Sequence, residues 1–106
     1  MSTFDKREVA FENRFAHDEE ILFKALARAK YMLGIWAAEQ LHKSVEAAAN
    51  YAQALVANDI ASPAANCALA EIHKDFMAAG VAQSEHQIAR HYEEFRVLAL
   101  QQLTRA

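Results

Sequence analysis

Apolar side chains at Phe4, Phe11, Phe15, Leu22, Leu26, Ala29, Leu33 and Trp36 are separated by steps of seven, four and three residues, which places them on one face of an α-helix. From Phe4 to Leu41 this pattern would span roughly 57 Å at about 1.5 Å per residue, about twice the length supported by the later periodic segments. The stripe is therefore too long for its own domain. Something must cover the first phenylalanines: either the N-terminal stretch folds back, or it is a ligand for a groove on another protein.

Punctuation along the chain predicts four helices. The first runs securely from about Asp18 to Leu41, with Asp18, Glu19 and Glu20 placed favourably against the positive end of its dipole. If it begins there, Met1 to His17 form an appended arm whose pattern continues in register. Gly34, inside this helix, costs about 1 kcal/mol relative to alanine and points to close approach of a neighbouring helix beside Trp36. Ser44 is the expected cap of a second helix, with Val45, Ala48, Ala52, Leu55 and Val56 as its apolar stripe, ending before Asp59. Ser62 and Pro63 suit the start of a third, which buries Ala65, Leu69, Ile72, Phe76 and Ala79 and stops at Gly80. Ser84 and Gln87 have the spacing of a capping box for a fourth, whose apolar face is Ile88, Tyr92, Phe95, Leu98, Ala99 and Leu103. The expected fold is all-α: a four-helix bundle over residues 18–106, preceded by an amphipathic, conditionally helical arm at 1–17.

Composition supports this and removes several functions. Two glycines, one proline and 54 % hydrophobic residues describe an almost wholly helical chain of 106 residues, enough for one modest core. The single cysteine, Cys67, and the absence of an apolar leader fit a cytoplasmic protein. No apolar run approaches a membrane span, so direct membrane insertion is not expected. Eleven basic and fourteen acidic side chains are intermixed, giving a net charge of −3 with no basic cluster to engage nucleic acid.

Candidate chemistry within the bundle is sparse. Glu39 and His42 have the Glu-x-x-His spacing of di-iron bundles, but a dinuclear centre needs a second such pair and further inward carboxylates, which the sequence does not supply. His17, His42, His73, His86 and His91 have no compact zinc spacing, and Cys67 reads as a small core residue. Neither catalysis nor a required cofactor or metal is expected. His17 beside Asp18, Glu19 and Glu20 could make the junction between arm and bundle sensitive to pH.

The arm is the strongest functional signal. Burial of each phenylalanine can contribute roughly 1.5–3 kcal/mol, whereas ordering the arm costs about 1–2 kcal/mol per residue before hydrogen bonds compensate. Alone it should fray; in a complementary groove it should become helical.

Several runs carry a family resemblance: Thr3-Phe4-Asp5-Lys6-Arg7-Glu8, Ala10-Phe11-Glu12, Phe15-Ala16-His17-Asp18-Glu19-Glu20 and Leu33-Gly34-Ile35-Trp36-Ala37-Ala38-Glu39. Ala79-Gly80-Val81 and Ser84-Glu85-His86-Gln87-Ile88 extend it over most of the chain. Together they resemble the alphaproteobacterial zeta subunit, the inhibitor of the F-type ATP synthase. The resemblance implies a regulator without turnover of its own, whose N-terminal segment enters the catalytic head among the alpha, beta and gamma subunits and blocks rotation in the hydrolytic direction. It makes Phe4, Phe11 and Phe15 apolar anchors and Asp5, Arg7, Glu8, Glu12 and Arg14 polar contacts around them. It also implies peripheral attachment to the inner membrane through the synthase. An alternative role is a small helical sensor that binds an adenine nucleotide in the bundle, with the arm as its lid.

Overall fold

The computed structural model describes the backbone of residues 3–61 and 67–104, and the side-chain packing of residues 18–59 and 68–104. Four helices follow one another: α1 (Thr3–Gln40), α2 (Val45–Ala61), α3 (Cys67–Ala79) and α4 (Glu85–Thr104), with no strand among the described residues. The all-α, four-helix expectation holds. The helix α1 continues through the acidic triplet to Thr3, so Asp18, Glu19 and Glu20 lie exposed within it rather than at its start. This single element accounts for the elongated shape, with extents of 65 × 27 × 22 Å.

Small residues on α1 let two neighbours approach it. Gly34 meets α2 so closely that a Cβ built there would lie 2.7 Å from the Ala52 Cα and 2.9 Å from its Cβ. On another side, Ala25 and Ala29 pack against Ala99 of α4, flanked by Met32, Tyr92, Phe95 and Leu103. The main core gathers Leu33 and Ala37 of α1, Leu55 of α2, Ala68, Ile72 and Phe76 of α3, and Ile88 of α4. Trp36 sits at the junction of three helices, edge-on to Phe76 with ring centroids 5.6 Å apart and stacked on His91 at 4.2 Å.

The expected helix signals act as read. The Ser44 Oγ accepts from the Ala47 amide at 3.2 Å, and Ser84 and Gln87 exchange side-chain-to-amide bonds of 3.1 and 2.8 Å. Gly80, with φ of 74°, closes α3, and the Val81 amide reaches back to the Phe76 carbonyl at 2.9 Å. The Ser62 and Pro63 start signal and Ala65 lie outside the described residues.

Three positions assigned to buried faces are exposed. Val45 is 90 % exposed because it opens α2 beyond Gln40, the last residue of α1. Ala79 is exposed in the last turn of α3, where Val81 beyond the glycine packs on the core instead. Leu98 is 42 % exposed because the buried line of α4 passes through Tyr92, Phe95 and Ala99 beside it. Nor does Asp59 follow the end of α2. It lies within the helix and forms a largely buried ion pair with Lys30, which ties α2 to α1.

A second polar tie joins α2 to α3: the half-buried Tyr51 hydroxyl donates to the Asp75 carboxylate at 2.6 Å. Burial, and then the bond to Asp75, raise the Tyr51 pKa well above its ordinary value of 10.0. The folded chain therefore holds this proton after the unfolded chain has released it, so the stabilisation is complete below about pH 10 and is lost as pH rises above that value. Tyr51→Phe should flatten the fall in urea stability between pH 9 and pH 11. Gly34→Ala should destabilise by about 1–3 kcal/mol despite the better helix propensity of alanine, because backbone atoms oppose the new methyl; a lowered urea midpoint with unchanged slope checks this.

Candidate partner-binding site

The residues expected to contact a partner are borne on α1. Phe4, Asp5, Arg7, Glu8, Phe11, Glu12, Arg14 and Phe15 all belong to its helical backbone, and so does His17; their side chains lie outside the described residues. On the described part of the same stripe, Ala29 and Leu33 are fully buried while Leu22 is 47 % exposed. The face therefore passes from core to surface as α1 runs toward its N-terminus.

The change has a simple cause. Ala68, Ile72 and Phe76 of α3 cover the stretch around Leu33 and Ala37, whereas among the described residues the cluster around Ala25, Ala29 and Ala99 receives side chains only from α1 and α4. A trough of about 120 Å³ lies between α1 and α4 there, lined by Leu22, Ala25, Leu26, Val97, Leu100 and the charged Glu93 and Arg96. Val97 in its lining is 57 % exposed. Exposed apolar residues in so small a group are ordinary at a protein surface.

The charges around the trough satisfy one another. Arg96 donates to Glu93 at 2.8 Å within the lining, whereas Lys24 and Glu20, paired at 3.1 Å one helical turn apart, are not part of it. The α4 side is held in place by the Arg28 bond to Gln102 at 3.2 Å and by Tyr92, whose hydroxyl pKa is raised by burial.

Sequence periodicity found Leu22 and Leu26 but missed Val97 and Leu100. The available signal was the unbroken run Val97-Leu98-Ala99-Leu100, since no helix can bury four consecutive side chains against one neighbour.

The other candidates do not assemble into a site. Glu39 and His42 are both exposed, and His42 occupies the left-handed position that ends α1, with φ of 59°. His73 faces Glu85 at 3.4 Å, His86 is exposed, and His91 stacks on Trp36. The side chain of Cys67 lies outside the described residues. Among the described residues, no three acidic, histidine or cysteine side chains converge as a metal site would require. A second hollow, of about 320 Å³, is lined by Tyr31, Met32, Ile35, Trp36, Phe95 and Glu39. Its rings could stack a base, but the charged group lining it is a carboxylate, which opposes phosphate.

Residues 1–102 match the family described as ATPase inhibitor subunit zeta. The chain belongs to that family. Membership agrees with the resemblance carried by its motifs and makes the chain an ATPase inhibitor subunit of the zeta family. No curated protein and no solved structure matches it. No helix among the described residues is long and apolar enough to cross a membrane.

His42 offers a check on the family bundle that leaves the binding surface untouched. A non-glycine residue at positive φ is strained, and the Lys43 amide bond to the Ala38 carbonyl at 3.0 Å holds it there. His42→Gly should stabilise the chain by about 0.5–1 kcal/mol, measured as a raised urea midpoint.

Proposed function

We propose that this chain inhibits ATP hydrolysis by the F-type ATP synthase by inserting the N-terminal end of α1 into the catalytic head. On this reading residues 1–17 are the inhibitory arm and residues 18–106 the bundle that carries it. The arm enters between alpha, beta and gamma subunits and obstructs rotation in the hydrolytic direction. Phe4, Phe11 and Phe15 anchor it; Asp5, Arg7, Glu8, Glu12 and Arg14 set its register. The protein works in the cytoplasm, held at the inner membrane through the synthase, and needs no cofactor.

One observation supports this above the others: α1 is an unbroken helix from Thr3 to Gln40, although the described helices beside it are only 13 to 20 residues long. A helix covered by its own bundle would not need the excess. Length on that scale, carrying phenylalanine positions in register with the core stripe, suits a segment whose apolar face is completed by another molecule.

The test is ATP hydrolysis by the cognate synthase. Full-length protein should suppress it, and Phe11→Ala or Phe15→Ala should each raise the half-inhibitory concentration by about 10-fold or more, as expected for loss of roughly 1.5–3 kcal/mol per buried ring. Undiminished inhibition by a variant with Phe4, Phe11 and Phe15 all replaced by alanine would reject the arm as the inhibitory element.

A further inference from the structure

The larger hollow between α1 and α4 combines three aromatic rings, Tyr31, Trp36 and Phe95, with the Glu39 carboxylate. We infer that it binds a small quaternary ammonium ion, a positive charge wrapped in methyl groups. None of its residues belongs to the arm, so this inference and the inhibitor reading stand or fall separately.

Helical spacing builds the hollow. Tyr31, Ile35 and Glu39 follow one another at steps of four residues along α1, Met32 and Trp36 form the adjoining row, and Phe95 comes from α4, around a volume of about 320 Å³. The indole of Trp36 also meets His91 and Phe76, but neither of these lines the hollow, so a further part of the ring faces it.

The lining selects both the charge and the kind of ligand. An aromatic face is negative at its centre and Glu39 adds a full negative charge, which together attract a cation. Glu39 is exposed and pairs with no described cation, whereas Lys24, Lys30 and Arg96 each have a carboxylate partner. Among the lining side chains the oxygen acceptors are the Glu39 carboxylate and the Tyr31 hydroxyl, too few to replace the water around a metal ion or a primary ammonium. A quaternary ammonium has no N–H to leave unpaired, and its methyl groups match the apolar walls. Because those walls come from two helices, the ligand binds the folded chain in preference to the unfolded one and stabilises it.

Choline is the probe, and its uncharged analogue with carbon in place of nitrogen is the control of equal shape. With the full-length chain, and choline chloride exchanged for sodium chloride, choline should shift the NMR signals of Tyr31, Trp36 and Phe95 along saturable curves and raise the urea midpoint. The analogue should bind about 5-fold or more weakly, and Glu39→Gln and Tyr31→Leu should each weaken choline binding by about 3- to 10-fold. Position 39 is exposed, so Glu39→Gln should fold as the parent does, which circular dichroism would verify. Equal binding of choline and its analogue would overturn the inference by making the hollow merely apolar. Parent-like binding by Glu39→Gln would also overturn it, as would shifts that spare Trp36 and Phe95 or fail to saturate by about 100 mM choline. None of these results would alter the expected inhibition of ATP hydrolysis by the arm.

Discussion

Close approach along α1 governs the rest of the bundle. Without a side chain at Gly34, α2 can rest its backbone against α1 at Ala52, and with only methyl groups at Ala25 and Ala29, α4 can close from another side. Larger residues at these positions would separate the layers and open voids around Leu33, Ile72 and Phe76, all of which are fully buried. The small residues contribute little burial of their own. Their effect is to bring α2 and α4 near enough for the large ones to interlock.

The unequal helix lengths then divide α1 by environment. Around Leu33 it has neighbours from α2, α3 and α4, whereas around Ala25 the described cluster contains only α1 and α4. The same apolar stripe thus serves as core in one stretch and as open surface in another, with no change in its periodicity. The polar ties of Lys30 to Asp59 and of Arg28 to Gln102 hold α2 and α4, respectively, against α1.

Much of this was legible in the residues because helix ends follow local rules. Ser44, Gly80 and the Ser84 with Gln87 pair act through bonds to amides and carbonyls within a few positions, and each did so where expected. Burial is not local in the same way. Val45 and Leu98 have suitable periodicity, yet one lies past the end of its neighbour and the other beside the contact line, facts that depend on how far α1 extends and where α4 crosses it. Asp59 looked like a stop signal because its partner, Lys30, is distant in sequence. His42 gave no warning of a left-handed turn, since glycine or asparagine is the usual mark of that conformation. The arm residues were singled out from phenylalanine spacing and family likeness and their side chains lie outside the described residues, while Val97 and Leu100 lie off the buried line of α4 through Tyr92, Phe95 and Ala99.

Trp36 is the chain's lone tryptophan, and its ring touches the imidazole of His91 from α4 and the benzyl edge of Phe76 from α3. Its emission is consequently a built-in gauge with two independent inputs. Lifting α4 away would remove an imidazole that can quench the indole, whereas displacing α3 would admit solvent to its edge and redden the spectrum. Intensity and wavelength from one native fluorophore can thus distinguish which of the two helices has moved, without any label on the molecule.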